Sequence, residues 1–205
     1  MKETTAIKFR DTSAAIEHAL AVSSNSGVCF SGGKKSILLL YLIRRQRLKI
    51  KVFFVDSGDE FPEILAFIQK VQKLWGLDLV IVKLDKHTEN DFVNESHSKA
   101  VHRHIQELAE RDHVDGLFLG FTSRADAISE GYFDRNGIVT PLVSWTDDDI
   151  LDCIQSFNLP LCSLYSRGYR KVDSISSSTA EPLDIAEDLK NEKIIREQLR
   201  KLGYL

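Results

Sequence analysis

Apolar positions fall along this chain in short blocks separated by polar or helix-spaced stretches, and the blocks predict alternating helices and strands. Ala14, Ala15, Ile16, Ala19 and Leu20 recur at helical spacing from a cap at Asp11, Thr12 or Ser13 to the breaker run Ser23-Ser24-Asn25-Ser26-Gly27. The strand Gly27-Val28-Cys29-Phe30 then enters a Gly-rich turn and the helical run Ile37 to Ile43, closed by Arg44, Arg45 and Arg47. Ile50 to Val55 reads as the second strand, and Pro62, suited to a first helical turn, opens a helix that ends at Trp75 before Gly76. Leu79 to Val82 is the third strand, Glu95 to Glu110 an amphipathic helix, and Gly116 to Gly120 a fourth, buried strand. Farther on, Thr146 with Asp147, Asp148 and Asp149 starts a helix running to Phe157. Ser174 to Ala180 is a polar loop, and Glu187 to Leu202 a charged terminal helix.

Near-continuous apolar strands separated by helices predict an α/β fold, a doubly wound and mostly parallel sheet with helices on both faces. At 205 residues and 43% hydrophobic content the chain fits one domain. Residues 1–173 are expected to form the α/β domain, with 174–205 a polar loop and helix that joins it or trails as a tail. In such sheets ligands sit at the carboxyl ends of the strands.

Charge narrows the partners. A formal net charge of −3 provides no overall basic field for gripping long nucleic acid, and a small polyanion suits the balance better. Three cysteines, Cys29, Cys153 and Cys162, form no Cys-x-x-Cys pair, which argues against a disulfide framework and predicts a reducing, cytoplasmic home. No apolar run approaches the roughly 20 residues that cross a bilayer, so no membrane anchor is expected. The sequence leaves the assembly open, a homodimer included.

The candidate chemistry begins at Ser31-Gly32-Gly33-Lys34-Lys35-Ser36. Two glycines where a strand meets a helix let backbone N–H groups crowd around phosphate oxygens. Lys34 and Lys35 bring ammonium charge, and Ser31 and Ser36 bring hydroxyl donors. The spacing matches neither the Walker A pattern nor the dinucleotide fingerprint. A Gly-Gly turn carrying surface lysines is the bland alternative.

This loop resembles the Ser-Gly-Gly-x-Asp-Ser signature of the PP-loop ATP pyrophosphatases, the adenine nucleotide alpha hydrolase superfamily. Ser31, Gly32, Gly33 and Ser36 match, and Lys35 stands where that family has aspartate. Further segments resemble the phosphoadenylyl-sulfate (PAPS) reductase-like branch, and each has a plainer reading beside it. Asp56-Ser57-Gly58-Asp59-Glu60-Phe61-Pro62-Glu63 is similar to its Asp-Thr-Gly-x-x-Phe-Pro-Glu segment, which implies Asp56 and Ser57 near the adenosine; an ordinary turn before a helix is compatible. Gly120-Phe121-Thr122-Ser123-Arg124-Ala125-Asp126 is similar to a stretch whose arginine faces the anion, which implies roles for Gly120 and Arg124; a surface ion pair is the alternative. Pro141 to Ile150 also resembles the branch, and there a helix cap built from Thr146 and Asp149 is preferred to a metal site. Asn158 to Arg170 is similar to its Asn-x-Pro-x-x-x-Leu-Tyr-x-x-Gly-Tyr segment, implying contacts from Tyr169 and Arg170.

The resemblance implies that ATP or PAPS is bound as substrate, with Lys34, Lys35 and Arg124 stabilising charge. Magnesium follows by family analogy alone; no metal ligand and no iron–sulfur cluster is assigned. A lysine at position 35 strengthens anion binding and weakens any metal contact that depends on the family carboxylate. The expected activity is adenylyl transfer or α,β-phosphate cleavage onto an unknown acceptor or partner protein. The alternatives are sulfonucleotide reduction with an external thiol, or a non-catalytic nucleotide-binding accessory subunit. Thiol chemistry within the chain is disfavoured, because no cysteine follows Cys162, the one cysteine worth testing as a nucleophile.

Overall fold

The computed structural model describes residues 1–84, 97–129, 137–170, 172 and 175. The expected terminal helix at Glu187 to Leu202 lies outside them, as do the start of the Glu95 helix and nearly all of the Ser174 to Ala180 loop. Helices α1 (Glu3–Val22), α2 (Lys34–Arg44), α3 (Pro62–Trp75), α4 (His97–Arg111), α5 (Arg124–Ser129) and α6 (Asp147–Ser156) alternate with strands β1 (Ser26–Cys29), β2 (Lys51–Asp56), β3 (Asp78–Lys83), β4 (Gly116–Phe118) and β5 (Ile138–Val139). The strands lie in the order β3-β2-β1-β4-β5, and every pairing is parallel. Winding runs outward from β1 through β2 to β3, then restarts at β4 on the other side of β1. The strand order therefore reverses between β1 and β4, the point outside the carboxyl ends at which open α/β sheets form their ligand crevice.

Alternate residues of β2 feed two cores, as the strand period of two requires. Val52 and Phe54 join Val28, Phe30 and Phe118 beneath α1, α2, α3 and α6, while Phe53 and Val55 join Leu117 and Leu119 beneath Ile105 and Ala109 of α4. Helices thus cover both faces, as expected. Helix α2 is apolar nearly all round, and Ile37 to Leu40, Leu42 and Ile43 are completely enclosed, so the loop feeding it is set in the core. Among the described residues no helix is long and apolar enough to cross a membrane.

Two expectations need correction. Helix α1 begins at Glu3, well before the cap expected at Asp11 to Ser13. Its buried stripe opens with Thr5 and Thr12, whose hydroxyls meet Asp149 and the Trp145 Nε1–H, so a polar pair hides the helical period. Strand β5 was not anticipated. Its two residues pair Leu117 with Ile138 and Phe118 with Val139, too short a run to leave a pattern. By contrast, α3 runs as expected from Pro62 to a left-handed Gly76 (φ 58°).

Candidate functional site

The Gly-rich loop leaves β1 at the strand reversal. Gly32 adopts φ +81°, a left-handed conformation that glycine tolerates, and a Cβ there would stand 3.3 Å from Ile64 Cγ2. Gly33 is the N-cap of α2 and supplies no side-chain cap, and the first helical amide, that of Lys34, finds its acceptor in Tyr165 Oη instead. Across the turn the Ser31 hydroxyl donates to Ser36 Oγ at 3.3 Å, and Ser36 donates to the Gly33 carbonyl at 2.9 Å. Gly120, just past β4, closes the other wall. A Cβ added to it would lie 3.5 Å from the Lys35 carbonyl carbon and 3.5 Å from the Ser36 nitrogen. Its missing side chain keeps the approach to that amide open.

The two lysines have different surroundings. Lys34, 9% exposed, turns its ammonium to Asp147 Oδ2 at 2.8 Å, on the first turn of α6. Its backbone N–H donates to Tyr165 Oη at 2.8 Å. Lys35 is half-buried and makes no ion pair among the described residues. Its Cβ lies 3.6 Å from the position a Gly120 Cβ would take, which roots the side chain in the crevice.

At the end of β2 the Asp56 to Glu60 turn folds in on itself. The Glu60 carboxylate accepts from the Ser57 amide at 3.0 Å, the Gly58 amide at 3.0 Å and the Ser57 hydroxyl at 2.7 Å, and Asp56 Oδ1 accepts from the Gly58 amide at 3.1 Å. Asp56 and Ser57 reach the carboxyl edge beside the loop with these groups turned into the backbone. The segment after α6 clamps down on both. Arg167 pairs with Glu63 at 2.6 Å, and Tyr169 packs edge-on against Phe61 with ring centroids 5.4 Å apart. Glu63, hydrogen-bonded to backbone and then to Arg167, is held below the ordinary carboxylate range. Arg124 stands at the first position of α5 with its side chain exposed, and Arg170 is exposed at the end of the clamp.

The fold therefore brings Ser31 to Ser36 against Gly120, and Asp56 and Ser57 onto the neighbouring strand end. Tyr169 meets Phe61 rather than the Gly-rich loop, and among the described residues the tyrosine touching that loop is Tyr165. Sequence reasoning passed over Tyr165, Asp147 and Glu60. Tyr165 lay within a quoted segment, but its partner is 131 residues away. The preferred cap at the start of α6 is present, with Thr146 and Asp149 forming a capping box. Tyr165→Phe removes the acceptor for the Lys34 amide at about 1 kcal/mol. Urea titration is expected to read that loss as a lower unfolding free energy, with the fold retained.

The cysteines offer no ready nucleophile. Burial raises the Cys29 thiol and pushes Cys153 up to about 12, with Asp152 and Asp149 adding to the second. Cys162, expected in an open loop, is only 2% exposed because Leu159 and Leu164 beside it enter the core, and burial raises its thiol as well.

Comparison with known proteins agrees with this fold. Residues 25–117 and 129–180 match the model of the phosphoadenosine phosphosulfate reductase domain. A phosphoadenosine 5'-phosphosulfate reductase of Xylella fastidiosa is 26% identical over 192 residues, covering 85% of this chain and 80% of the relative. A Schizosaccharomyces pombe protein described as a probable FAD synthase is 25% identical over 169 residues, 75% of this chain; the aligned region spans 60% of that relative's length. The phosphoadenylyl-sulfate reductase of Candida auris, solved as a phosphate complex, shares the fold with a TM-score of 0.63 at 17% identity, covering 82% of this chain and 90% of the other. Because the matched segments make up well over half of the sequence, the protein belongs to the phosphoadenosine phosphosulfate reductase domain family.

Proposed function

We propose that this chain binds ATP in the crevice between β1 and β4 and transfers its adenylyl group to an acceptor, releasing pyrophosphate. The observation that carries the reading is the meeting of Gly120 with the Lys35–Ser36 backbone. It leaves helix-terminal amides open at the strand reversal, where an α/β sheet holds its ligand. In this reading the acceptor oxygen attacks the α-phosphorus as the bond to the β-phosphate breaks. The loop amides, the Lys35 ammonium and Arg124 stabilise the charge gathering on pyrophosphate. Lys34, neutralised by Asp147, acts through its position in the loop. Asp56 and Ser57 border the adenosine, and Tyr169 with Arg170 closes the site from the clamp.

The FAD synthase relative supports adenylyl transfer. The reductase relative supports a second reading, in which the same crevice takes a sulfonucleotide and an external thiol attacks sulfur. The buried Cys153 and Cys162 and the raised Cys29 thiol favour a thiol from elsewhere. A nucleotide-binding accessory role is the third. Incubation with labelled ATP or PAPS separates them. Adenylyl transfer predicts pyrophosphate release, the reductase reading predicts sulfite once an external dithiol is supplied, and binding without product fits the accessory role. Failure of both nucleotides to bind overturns the proposal.

A further inference from the structure

We infer that this site takes its nucleotide as the metal-free polyanion, with Lys35 supplying from within the chain the positive charge that a divalent ion would bring. The inference rests on the nucleotide reading above. Magnesium is the ion the family resemblance implies, and the residues at the crevice do not fit it. Asp147 is committed to the Lys34 ammonium at 2.8 Å. Glu60 is committed to the Ser57 and Gly58 amides and the Ser57 hydroxyl, and Asp56 Oδ1 to the Gly58 amide. Glu60 and Asp147 each serve protein donors that would be stranded if the carboxylate were freed for a metal, and Asp56 shares the Gly58 amide with Glu60. The loop position where the family signature carries a carboxylate holds Lys35.

Lys35 differs from its neighbour in the way the inference requires. It makes no ion pair among the described residues, it is half-buried, and its Cβ lies 3.6 Å from the position a Gly120 Cβ would take. The side chain therefore springs from the wall that Gly120 forms. Phosphate oxygens gain from its ammonium, whereas a divalent ion riding on the same phosphates meets like charge. Lys34 cannot play this part while Asp147 balances it. The two adjacent lysines thus divide the work, one fixing the loop to α6 and the other meeting the ligand.

Titration calorimetry of the full chain with ATP, once in EDTA and once in excess magnesium, tests this. The wild-type protein is expected to bind at least as tightly in EDTA as in magnesium. Lys35→Asp is expected to lose about tenfold or more in EDTA and to recover with magnesium. An acid in the first turn of a helix complements the helix dipole, so this variant should fold, and Lys35→Gln provides a second variant lacking the charge. Wild-type binding about tenfold tighter in magnesium overturns the inference, as does unchanged metal dependence in Lys35→Asp. Absence of heat with ATP and with PAPS under both conditions removes the nucleotide reading itself.

Discussion

Gly120→Val is expected to weaken nucleotide binding about a hundredfold while the protein stays folded. Gly120 lies outside the left-handed backbone region, and a Cβ there meets its neighbours at 3.5 to 3.6 Å, ordinary contact distances. Backbone strain and burial therefore oppose the substitution only weakly. The two added methyl groups must go somewhere, and the space beside that Cβ is the approach to the Ser36 amide and the Lys35 carbonyl carbon. Hydrogen bonds to a charged phosphate contribute about 1.5–3 kcal/mol each. Excluding the ligand from the Ser36 amide, at the upper part of that range, about 2.7 kcal/mol, gives a factor of about one hundred. Gly120→Ala fills less of the space and should fall between the two. Calorimetry with ATP beside a thermal melt checks both; wild-type affinity in Gly120→Val would show that phosphate does not approach along this wall.

How far the site could be read from the sequence depends on the range of the interactions that build it. Local signals were legible. Pro62 and Gly76 bound α3, Gly32 and Gly33 mark the loop, and Thr146 with Asp149 marks the start of α6. The allocation of charge was not. Lys34 and Lys35 look alike in sequence, and their difference is fixed by Asp147, 113 residues from Lys34. The same holds for Cys162, whose loop position suggested exposure until Leu159 and Leu164 carried it into the core. The first half of α1 was hidden for a related reason. Buried positions normally announce themselves by being apolar, and here two of them are threonines satisfied by α6 and the residue before its cap. A pattern of hydrophobicity finds elements that bury carbon. It misses those whose burial depends on a hydrogen-bond partner elsewhere in the chain.

That shared polar seam between α1 and α6 carries the other large expected effect. Asp149→Ala should lower the unfolding free energy by about 2–3 kcal/mol, measured by urea titration at neutral pH. The carboxylate is 8% exposed and accepts from Lys8 Nζ at 2.6 Å, the Thr146 amide at 2.9 Å, Thr146 Oγ1 at 2.7 Å and Thr5 Oγ1 at 3.3 Å. Breaking a buried ion pair costs about 3–5 kcal/mol. The lower figure applies because the Lys8 side chain is 32% exposed and returns partly to water. Burial opposes ionisation of Asp149, but the hydrogen bonds from Lys8 and Thr146 outweigh it and hold the carboxyl below its ordinary range. A group depressed in the folded state stabilises above its unfolded value of about 3.9 and loses that contribution as pH falls toward the folded value. The deficit of Asp149→Ala should therefore be full at neutral pH and shrink in strong acid. A deficit equally large in strong acid would mean that lost packing, not the charge, is responsible. The consequence reaches the site, because Asp149 fixes the helix turn from which Asp147 holds Lys34. Loosening that turn should release Lys34 toward the crevice, so Asp149→Ala is expected to bind ATP no more weakly than the wild type even as its stability falls.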